Sequence, residues 1–158
     1  MAETEYIFTY VTLIGKISIT EDGEGNITGL YLPSCNLPVA CVKETEIIAE
    51  AGGQLEEYVS GRRKKFCLPL RAEGTEFASS VWKEISKIPY GETITYSELA
   101  KRSGNLKAYR AAGTACGKNP IPIFIPCHRV VPSSGGVGFY GGGSQMKYRL
   151  LALEEKFA

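Results

Sequence analysis

The sequence has one histidine, one tryptophan and two methionines among 158 residues, and it has no long apolar run. Since a membrane-spanning helix needs about 20 consecutive apolar residues, we expect no membrane association. The five cysteines are too few and too scattered for the disulfide framework of a small secreted domain. No basic segment precedes an apolar one at the N-terminus, so we expect no secretory signal. We therefore expect a reducing compartment, namely the cytoplasm, or the nucleus if the source is a eukaryote.

The single histidine, His128, lies between Cys127 and Arg129 in the stretch 125–131. The apolar, proline-rich run 121–126 precedes it. A thiolate is the reactive form of cysteine, and an adjacent base or cation is how a protein generates one near neutral pH. The alternative is an inert buried cysteine, since free cysteine is among the most buried residue types. Because the only histidine of the chain is adjacent to this thiol, we favour a reactive role for Cys127 over an inert one.

Charge is distributed unevenly along the chain. Residues 1–74 carry 7 basic and 11 acidic side chains, whereas residues 75–158 carry 11 basic and 6 acidic ones. A basic half of this kind indicates contact with a polyanion. Charge matching between two domains explains the same asymmetry equally well, so the charge alone leaves both interpretations open.

The first half of the chain predicts an N-terminal α/β domain of residues 1–73. Three segments rich in β-branched and aromatic residues predict an antiparallel meander: 6–11, 14–19 and 27–32. Apolar spacing over 44–59 predicts a helix, closed by Gly61 and followed by the basic run 62–65, which would complement the helix dipole. We expect a short strand at 66–70 and then a linker.

The second half predicts a mostly helical C-terminal domain of residues 74–158, so the fold class is α+β. Thr75 is suited to cap a first helix. Two short helices, from 95 or 96 to 101 and from 107 to 116, are joined by a glycine-containing turn, which is the pattern of a helix-turn-helix. The second of these helices carries many small residues, which permit close approach to another surface. The alternative is that these small residues permit tight packing of the helix in a core, but the charge asymmetry favours contact with DNA.

Two further features lie near the C-terminus. The glycine-rich segment 138–143 does not fit a dinucleotide-binding fingerprint, but it allows close approach of a planar ligand, with Tyr140 as a stacking face. Ser144 is suited to cap a last helix, and Glu154 lies near the end of that helix, where the dipole disfavours an acid. We expect a compensating cation, for which His128 is the candidate.

These residues together resemble the O6-alkylguanine-DNA alkyltransferases, the methylated-DNA–protein-cysteine methyltransferases. The most specific match is Ile-Pro-Cys-His-Arg-Val-Val at 125–131. Other matching segments follow the family in order and spacing: Pro-Tyr-Gly-Glu at 89–92, Thr-Tyr-Ser-Glu-Leu-Ala at 95–100, Gly-Lys-Asn-Pro at 117–120, Gly-Phe-Tyr-Gly-Gly-Gly at 138–143 and Leu-Leu-Ala-Leu-Glu at 150–154. The resemblance extends over residues 75–156.

The resemblance implies a ribonuclease H-like N-terminal domain and a winged-helix-like C-terminal domain. It implies DNA repair by direct, irreversible, single-turnover transfer of the alkyl group of O6-alkylguanine, and less so of O4-alkylthymine, from duplex DNA to Cys127. The protein would thus be a methylated-DNA–[protein]-cysteine S-methyltransferase that is consumed stoichiometrically. Its partner would be double-stranded DNA carrying the lesion, and it would act as a monomer without a cofactor or metal.

Residue roles are carried over from the family onto the matching positions. His128 would take the proton of Cys127 through a water, Glu154 would orient the imidazole, and Asn119 would position the cysteine segment. Tyr96 would lie at the rotated 3′ phosphate and protonate the leaving guanine. Arg110 would fill the gap left by the flipped base, and further DNA contacts would come from Lys107, Tyr109 and Arg129. The substrate pocket would be lined by Tyr140, Gly141, Gly142, Val137 and Pro122.

This chain differs from some family members in two respects. Gly141 stands where some members have a serine that bonds the guanine oxygen. Some members also hold a structural zinc in the N-terminal half, but here no histidine precedes residue 128, so we expect no such site.

Two other functions remain possible from the residues alone. A DNA-binding module that marks alkylated bases without chemistry would not need Cys127. A Cys-His hydrolase would need an oxyanion site and multiple turnovers, which an ester substrate tests directly.

Overall fold

The computed structural model describes residues 5–158. The chain divides into two compact units that meet in sequence between Ala72 and Glu73. The first unit contains a sheet and one long helix, and the second is mostly helical, so the fold is α+β as predicted. Within residues 5–158, no helix has the length and apolar character needed to cross a bilayer.

The sheet of the first unit has four strands: β1 (Tyr6–Thr12), β2 (Gly15–Glu21), β3 (Ile27–Tyr31) and β4 (Cys41–Val42). Their order is β3-β2-β1-β4, and the first three form the predicted antiparallel meander. The short β4 lies at the edge and pairs in parallel with β1. The turn into β2 depends on Gly15, whose φ is 105° and whose missing Cβ would lie 2.8 Å from Pro33.

Helix α1 (Glu46–Val59) covers the sheet with its apolar face. Thr45 caps it by accepting a hydrogen bond from the Ile48 amide, and Gly61 follows its end with a φ of 81°. The basic run 62–65 lies directly beyond the last turn of α1, which itself contains no basic residue. Arg63 of this run pairs with Glu57 of the helix at 3.3 Å.

The strand predicted at 66–70 is absent, and only Leu70 forms an isolated bridge, with Ile27. The side chain of Gln54 takes the place of a neighbouring strand. Its Nε2 donates to the Cys67 carbonyl at 3.1 Å, and its Oε1 accepts from the Cys67 amide at 2.9 Å. Because these bonds satisfy the backbone locally, the segment needs no continuous ladder.

The second unit contains four α-helices: α2 (Glu76–Ile85), α3 (Tyr96–Arg102), α4 (Tyr109–Gly117) and α5 (Ser144–Phe157). Thr75 caps α2 as predicted, because its hydroxyl accepts from the Ala78 amide at 3.1 Å. Trp82 ties α2 to α4, since its buried Nε1 donates to the Ala115 carbonyl at 2.9 Å.

The structure refines one predicted helix start and corrects another. The helix expected from Lys107 begins as a 3-10 turn at Leu106–Ala108, where the Asn105 side chain accepts from the Lys107 amide, and becomes α-helical only at Tyr109. Ser144 does not cap α5: it is the first helical residue. The cap position is Gly143, whose φ of 95° favours glycine.

A small parallel sheet brings distant parts of the second unit together. Strand β5 (Ile94–Thr95) pairs with β6 (Val130–Val131), in the register Ile94 to Val130 and Thr95 to Val131. Tyr96 immediately follows β5, and the turn 127–129 immediately precedes β6. The pairing therefore places the start of α3 beside the Cys-His-Arg segment.

Candidate active site

Cys127, His128 and Arg129 form one buried 3-10 turn. The loop ahead of this turn is braced by Asn119. The Asn119 Nδ2 donates to the Ile125 carbonyl at 2.8 Å, and its Oδ1 accepts from the Ile121 amide at 2.9 Å. Ile123 has a φ of 73°, which costs roughly 1–3 kcal/mol for a non-glycine residue. The surrounding contacts thus hold the cysteine segment in a strained backbone.

Glu154 lies at the centre of a buried charge network. Its Oε2 is 2.5 Å from the His128 Nε2, and its two oxygens accept from Arg129 Nε at 2.8 Å and Arg129 Nη2 at 3.1 Å. The Gly91 amide also donates to Oε1 at 3.0 Å. The predicted contact between Glu154 and His128 is therefore present.

Arg129, rather than His128, supplies the cation of this network. Burial lowers the pKa of His128 in spite of the carboxylate beside it, so the imidazole is neutral near pH 7. The guanidinium of Arg129 remains charged, and its Nη1 donates to the Ile88 carbonyl at 2.7 Å. The expectation that Arg129 contacts DNA is corrected, because its side chain is buried and hydrogen-bonded inside the unit.

The thiol of Cys127 is buried, yet its pKa is lowered. The neighbouring Cys116 thiol contributes most to the lowering of this pKa, followed by the Asn119 side chain and the charge of Lys147. Together these outweigh burial, which acts in the opposite direction. A lowered pKa increases the thiolate fraction at neutral pH, and the thiolate is the nucleophile.

Lys147 is a site residue that the sequence analysis missed. Its side chain is 0% exposed. The ammonium donates to the Tyr96 hydroxyl at 3.3 Å and to the Phe139 carbonyl at 3.2 Å. Burial, followed by the two nearby thiols, raises the pKa of Tyr96 to about 12, so its hydroxyl keeps its proton. The sequence contained one signal for this role: the spacing of Lys147, Leu150 and Glu154 places all three side chains on one face of a helix.

Cys127 opens onto a cavity of about 580 Å³. Helices α3 and α4, the Cys127 turn and the glycine-rich segment contribute its lining: Tyr96, Tyr109, Arg110, Gly113, Thr114, Cys116, Gly117, Cys127, Phe139, Tyr140 and Gly141. Tyr140 and Gly141 lie where the pocket was predicted. Pro122, Val137 and Gly142 do not line this cavity, so those three assignments are corrected.

The small residues of α4 give the cavity its depth. Gly113 and Gly117 present only backbone to it. A Cβ at Gly117 would lie 3.5 Å from the Phe139 ring. The same helix carries Tyr109 and Arg110 at the cavity rim, where both are exposed, while Lys107 is exposed on the preceding turn. The guanidinium of Arg110 lies 5.9 Å from the centroid of the Tyr109 ring.

This arrangement is suited to a nucleophilic displacement. A thiol with a lowered pKa faces an open cavity, a buried neutral imidazole follows it in the chain, and a protonated phenol lines the same cavity. A soft nucleophile with a nearby proton donor can attack carbon and protonate the leaving group.

Comparison with known proteins identifies relatives over nearly the whole chain. The family model for the DNA-binding domain of 6-O-methylguanine DNA methyltransferase matches residues 76–156. A methylated-DNA–protein-cysteine methyltransferase of Methanosarcina acetivorans is 42% identical over 152 residues, covering 94% of this chain and 97% of the relative. The constitutive protein of that name from Bacillus subtilis is 40% identical over 157 residues, with 94% of each chain covered.

Solved structures show the same similarity in three dimensions. A crystal structure of Mycobacterium tuberculosis OGT in complex with DNA superposes with a TM-score of 0.90 at 36% identity, covering 97% of this chain and 94% of that one. A crystal structure of the O6-methylguanine methyltransferase from the same organism gives a TM-score of 0.89 at 35% identity, covering 98% of this chain and 95% of that one.

Proposed function

The chain belongs to the methylated-DNA–protein-cysteine methyltransferase family, and we propose that it repairs DNA by accepting the alkyl group of O6-alkylguanine on Cys127. The observation that carries this proposal is the Cys127 thiol, which has a lowered pKa and faces the cavity. The thioether product is stable, so each chain reacts once. O4-alkylthymine presents the same alkyl–oxygen bond and would be a poorer substrate.

The displacement forms a bond between Cys127 Sγ and the alkyl carbon and breaks the bond between that carbon and O6. The proton of Cys127 passes to the neutral His128, through a water as in the family, and Glu154 stabilises the imidazolium. Tyr96 protonates the departing guanine. Lys147 donates to the Tyr96 hydroxyl, so it would stabilise the phenolate that forms.

Duplex DNA would bind through α3 and α4, which we interpret as the helix-turn-helix of a winged-helix-like unit, with a ribonuclease H-like first unit. A stacked base cannot reach a buried thiol, so the nucleotide must flip, at a few kcal/mol. Arg110 at the cavity rim would fill the vacated stack, and the exposed Lys107 and Tyr109 would contact the backbone. Similarity to a protein crystallised with DNA supports this docking.

A single chain would be sufficient for the reaction. All side chains assigned to it lie between Tyr96 and Glu154 in the second unit, which supports action as a monomer. Gly141 offers no hydroxyl to the guanine oxygen, and a Cβ at this position would meet open space. A Gly141→Ser variant should therefore fit without strain and accelerate the transfer from O6-methylguanine, because its hydroxyl can bond the guanine oxygen.

The test is the intact mass of the protein after incubation with duplex DNA carrying O6-methylguanine. We expect one methyl group per chain, located on Cys127, with reaction stopping at one equivalent. Cys127→Ser should gain nothing, whereas Cys67→Ser, which removes an exposed thiol, should react like the parent. Methylation of another cysteine would refute the assignment of Cys127, and continued turnover would indicate a hydrolase instead.

A further inference from the structure

Cys116 is a second buried thiol in the same cavity, and the proposed alkyl transfer gives it no bond to make or break. It lies in the last turn of α4 and is 7% exposed. Its Sγ donates to the Cys127 carbonyl at 3.7 Å, and the side chains of Cys116 and Cys127 line the same cavity. The other three cysteines lie in the first unit and are exposed or half-buried.

We propose that Cys116 is a resolving thiol, which forms a reversible disulfide with Cys127 when Cys127 is oxidised by a hydroperoxide. Because the Cys116 Sγ lies 3.7 Å from the Cys127 carbonyl oxygen and both side chains line one cavity, the two sulfurs are within reach of the disulfide bond length of about 2.05 Å. Cys127 sits on a single 3-10 turn and Cys116 at a helix end, so side-chain rotation with small backbone shifts can bring them together. The site is distinct from the alkyl-transfer role of Cys127.

The chemistry balances in two steps. The Cys127 thiolate attacks the peroxide oxygen, which gives a sulfenic acid on Cys127 and releases water or an alcohol once protonated. Cys116 then attacks the Cys127 sulfur as its thiolate, which forms the disulfide, and the sulfenic hydroxyl leaves as water. Two thiols are oxidised by two electrons, and one hydroperoxide is reduced.

The electrostatics favour this order of events. The neighbouring Cys127 thiol and burial raise the pKa of Cys116, whereas the charge of Lys147 acts to lower it. Oxidation converts Cys127 to a neutral sulfenic acid, which removes the repulsion between two thiolates, while the charge of Lys147 remains. Cys116 is therefore protonated while Cys127 reacts first, and it becomes easier to ionise when it is needed.

The disulfide would have a protective consequence. A sulfenic acid left alone proceeds to sulfinic and sulfonic acids, which thiol reductants do not reverse. A protein consumed once per lesion loses its only acceptor by that route. Trapping Cys127 as a disulfide halts oxidation in a form that cellular thiols restore.

The experiment uses the full chain with Cys35→Ser, Cys41→Ser and Cys67→Ser, so that only Cys116 and Cys127 remain. After hydrogen peroxide treatment, we expect a mass lower by two hydrogens, the loss of both free thiols and a peptide linking residues 116 and 127. Alkyl transfer from O6-benzylguanine should be nearly abolished, and dithiothreitol should restore it to the level of the untreated sample.

The matched variant adds Cys116→Ser and is compared with its own untreated sample. Peroxide should now add oxygen to Cys127, and most of the lost alkyl transfer should not return with dithiothreitol. Three results would overturn the proposal: no linked peptide in the parent, a disulfide between two chains, or equal recovery with and without Cys116. The mass and thiol measurements require no alkyl transfer, so they remain decisive even if the proposed function fails.

Discussion

Glu154 is the carboxylate of the described site. Its two oxygens serve His128, Arg129 and the amide of Gly91, and the side chain is almost completely buried. A carboxylate in this position has two roles, since it orients the imidazole and it neutralises the buried guanidinium. Removing its charge should therefore affect stability as well as rate.

We expect Glu154→Gln to lower the free energy of unfolding by about 3–5 kcal/mol, because Arg129 would remain buried without a counter-charge. Alkyl transfer should slow by about 100-fold or more, the lower end of the contribution of a positioned acid–base group. Denaturant titration and single-turnover kinetics on folded protein measure the two effects, with the exposed Glu155→Gln as control. DNA affinity falling as far as the rate would show that the role is only structural.

Tyr96 is the proposed proton donor, and its pKa of about 12 keeps the hydroxyl protonated at neutral pH. Tyr96→Phe should slow transfer from O6-methylguanine by roughly 100-fold. Alkylation of Cys127 by iodoacetamide should change little, because iodide leaves without a proton. Comparing the two rates separates proton donation from a general effect on the thiol; equal losses would exclude the donor role.

At the scale of elements, α5 and α4 determine the site. Lys147 and Glu154 are seven residues apart on α5, which puts them on one face two turns apart, with Leu150 between them in the core. Helix α4 presents glycines to the cavity and places Arg110 at its rim. The orientation of these two helices thus sets the electrostatics of the thiol and the shape of the opening.

Lys147→Met tests the contribution of α5 to thiol reactivity. The ammonium favours the thiolate, so its removal should raise the pKa of Cys127. The midpoint of the pH–rate profile for iodoacetamide should then move to higher pH, so that the rate falls at neutral pH but reaches the parent plateau in alkali. Lys156→Met, at an exposed position of the same helix, is the control. A uniform decrease at every pH would instead indicate misfolding of the site.

Arg110→Ala tests the contribution of α4 to base flipping. The rate of repair of duplex DNA should fall by about tenfold or more. Flipping costs a few kcal/mol, and each contribution of about 1.4 kcal/mol to that cost that Arg110 no longer offsets lowers the rate by a factor of ten. Reaction with free O6-benzylguanine, which requires no flipping, should remain close to that of the parent. Arg149→Ala, exposed on α5, serves as the matched control. Parallel losses on both substrates would contradict the role of Arg110.

At the scale of the whole molecule, the basic half of the chain is the half that carries the cavity. Two of its cations, Arg129 and Lys147, are buried and serve the site rather than the surface. Exposed cations remain around the opening, among them Lys107 and Arg110. The charge asymmetry therefore supports DNA binding with fewer available cations than the composition indicates.

DNA affinity should accordingly fall steeply as salt increases. The slope of log affinity against log salt is about −0.9 for each phosphate neutralised on duplex DNA. Lys107→Ala should reduce the magnitude of this slope by about 1 and weaken binding equally on damaged and undamaged duplexes. Fluorescence anisotropy at several salt concentrations measures both effects. An affinity that does not vary with salt would contradict the interpretation that the protein binds DNA.

Sequence-based prediction succeeded where the determining interactions are local. The strands of the meander follow from β-branched residues, helix α1 from its apolar spacing, and the start of α2 from Thr75. It failed where one distant group replaced a local pattern. The segment 66–70 has strand-forming residues, but the distant Gln54 satisfies the Cys67 backbone. The start of α5 is a separate, local error, because Gly143 rather than Ser144 occupies the cap position.

The sequence by itself determined the family and the position of the Cys-His-Arg segment at 127–129, and it pointed to Cys127 as the proposed nucleophile, because these depend on residue identity and spacing along the chain. Only the tertiary structure decided that Arg129 turns inward to Glu154, that Lys147 is buried against Tyr96, and that Cys116 lies beside Cys127. The physical reason is that burial and charge pairing depend on which distant segments meet. A lysine or arginine is the same residue whether it is buried or exposed, and only the surrounding fold determines which of these cations lies inside the site.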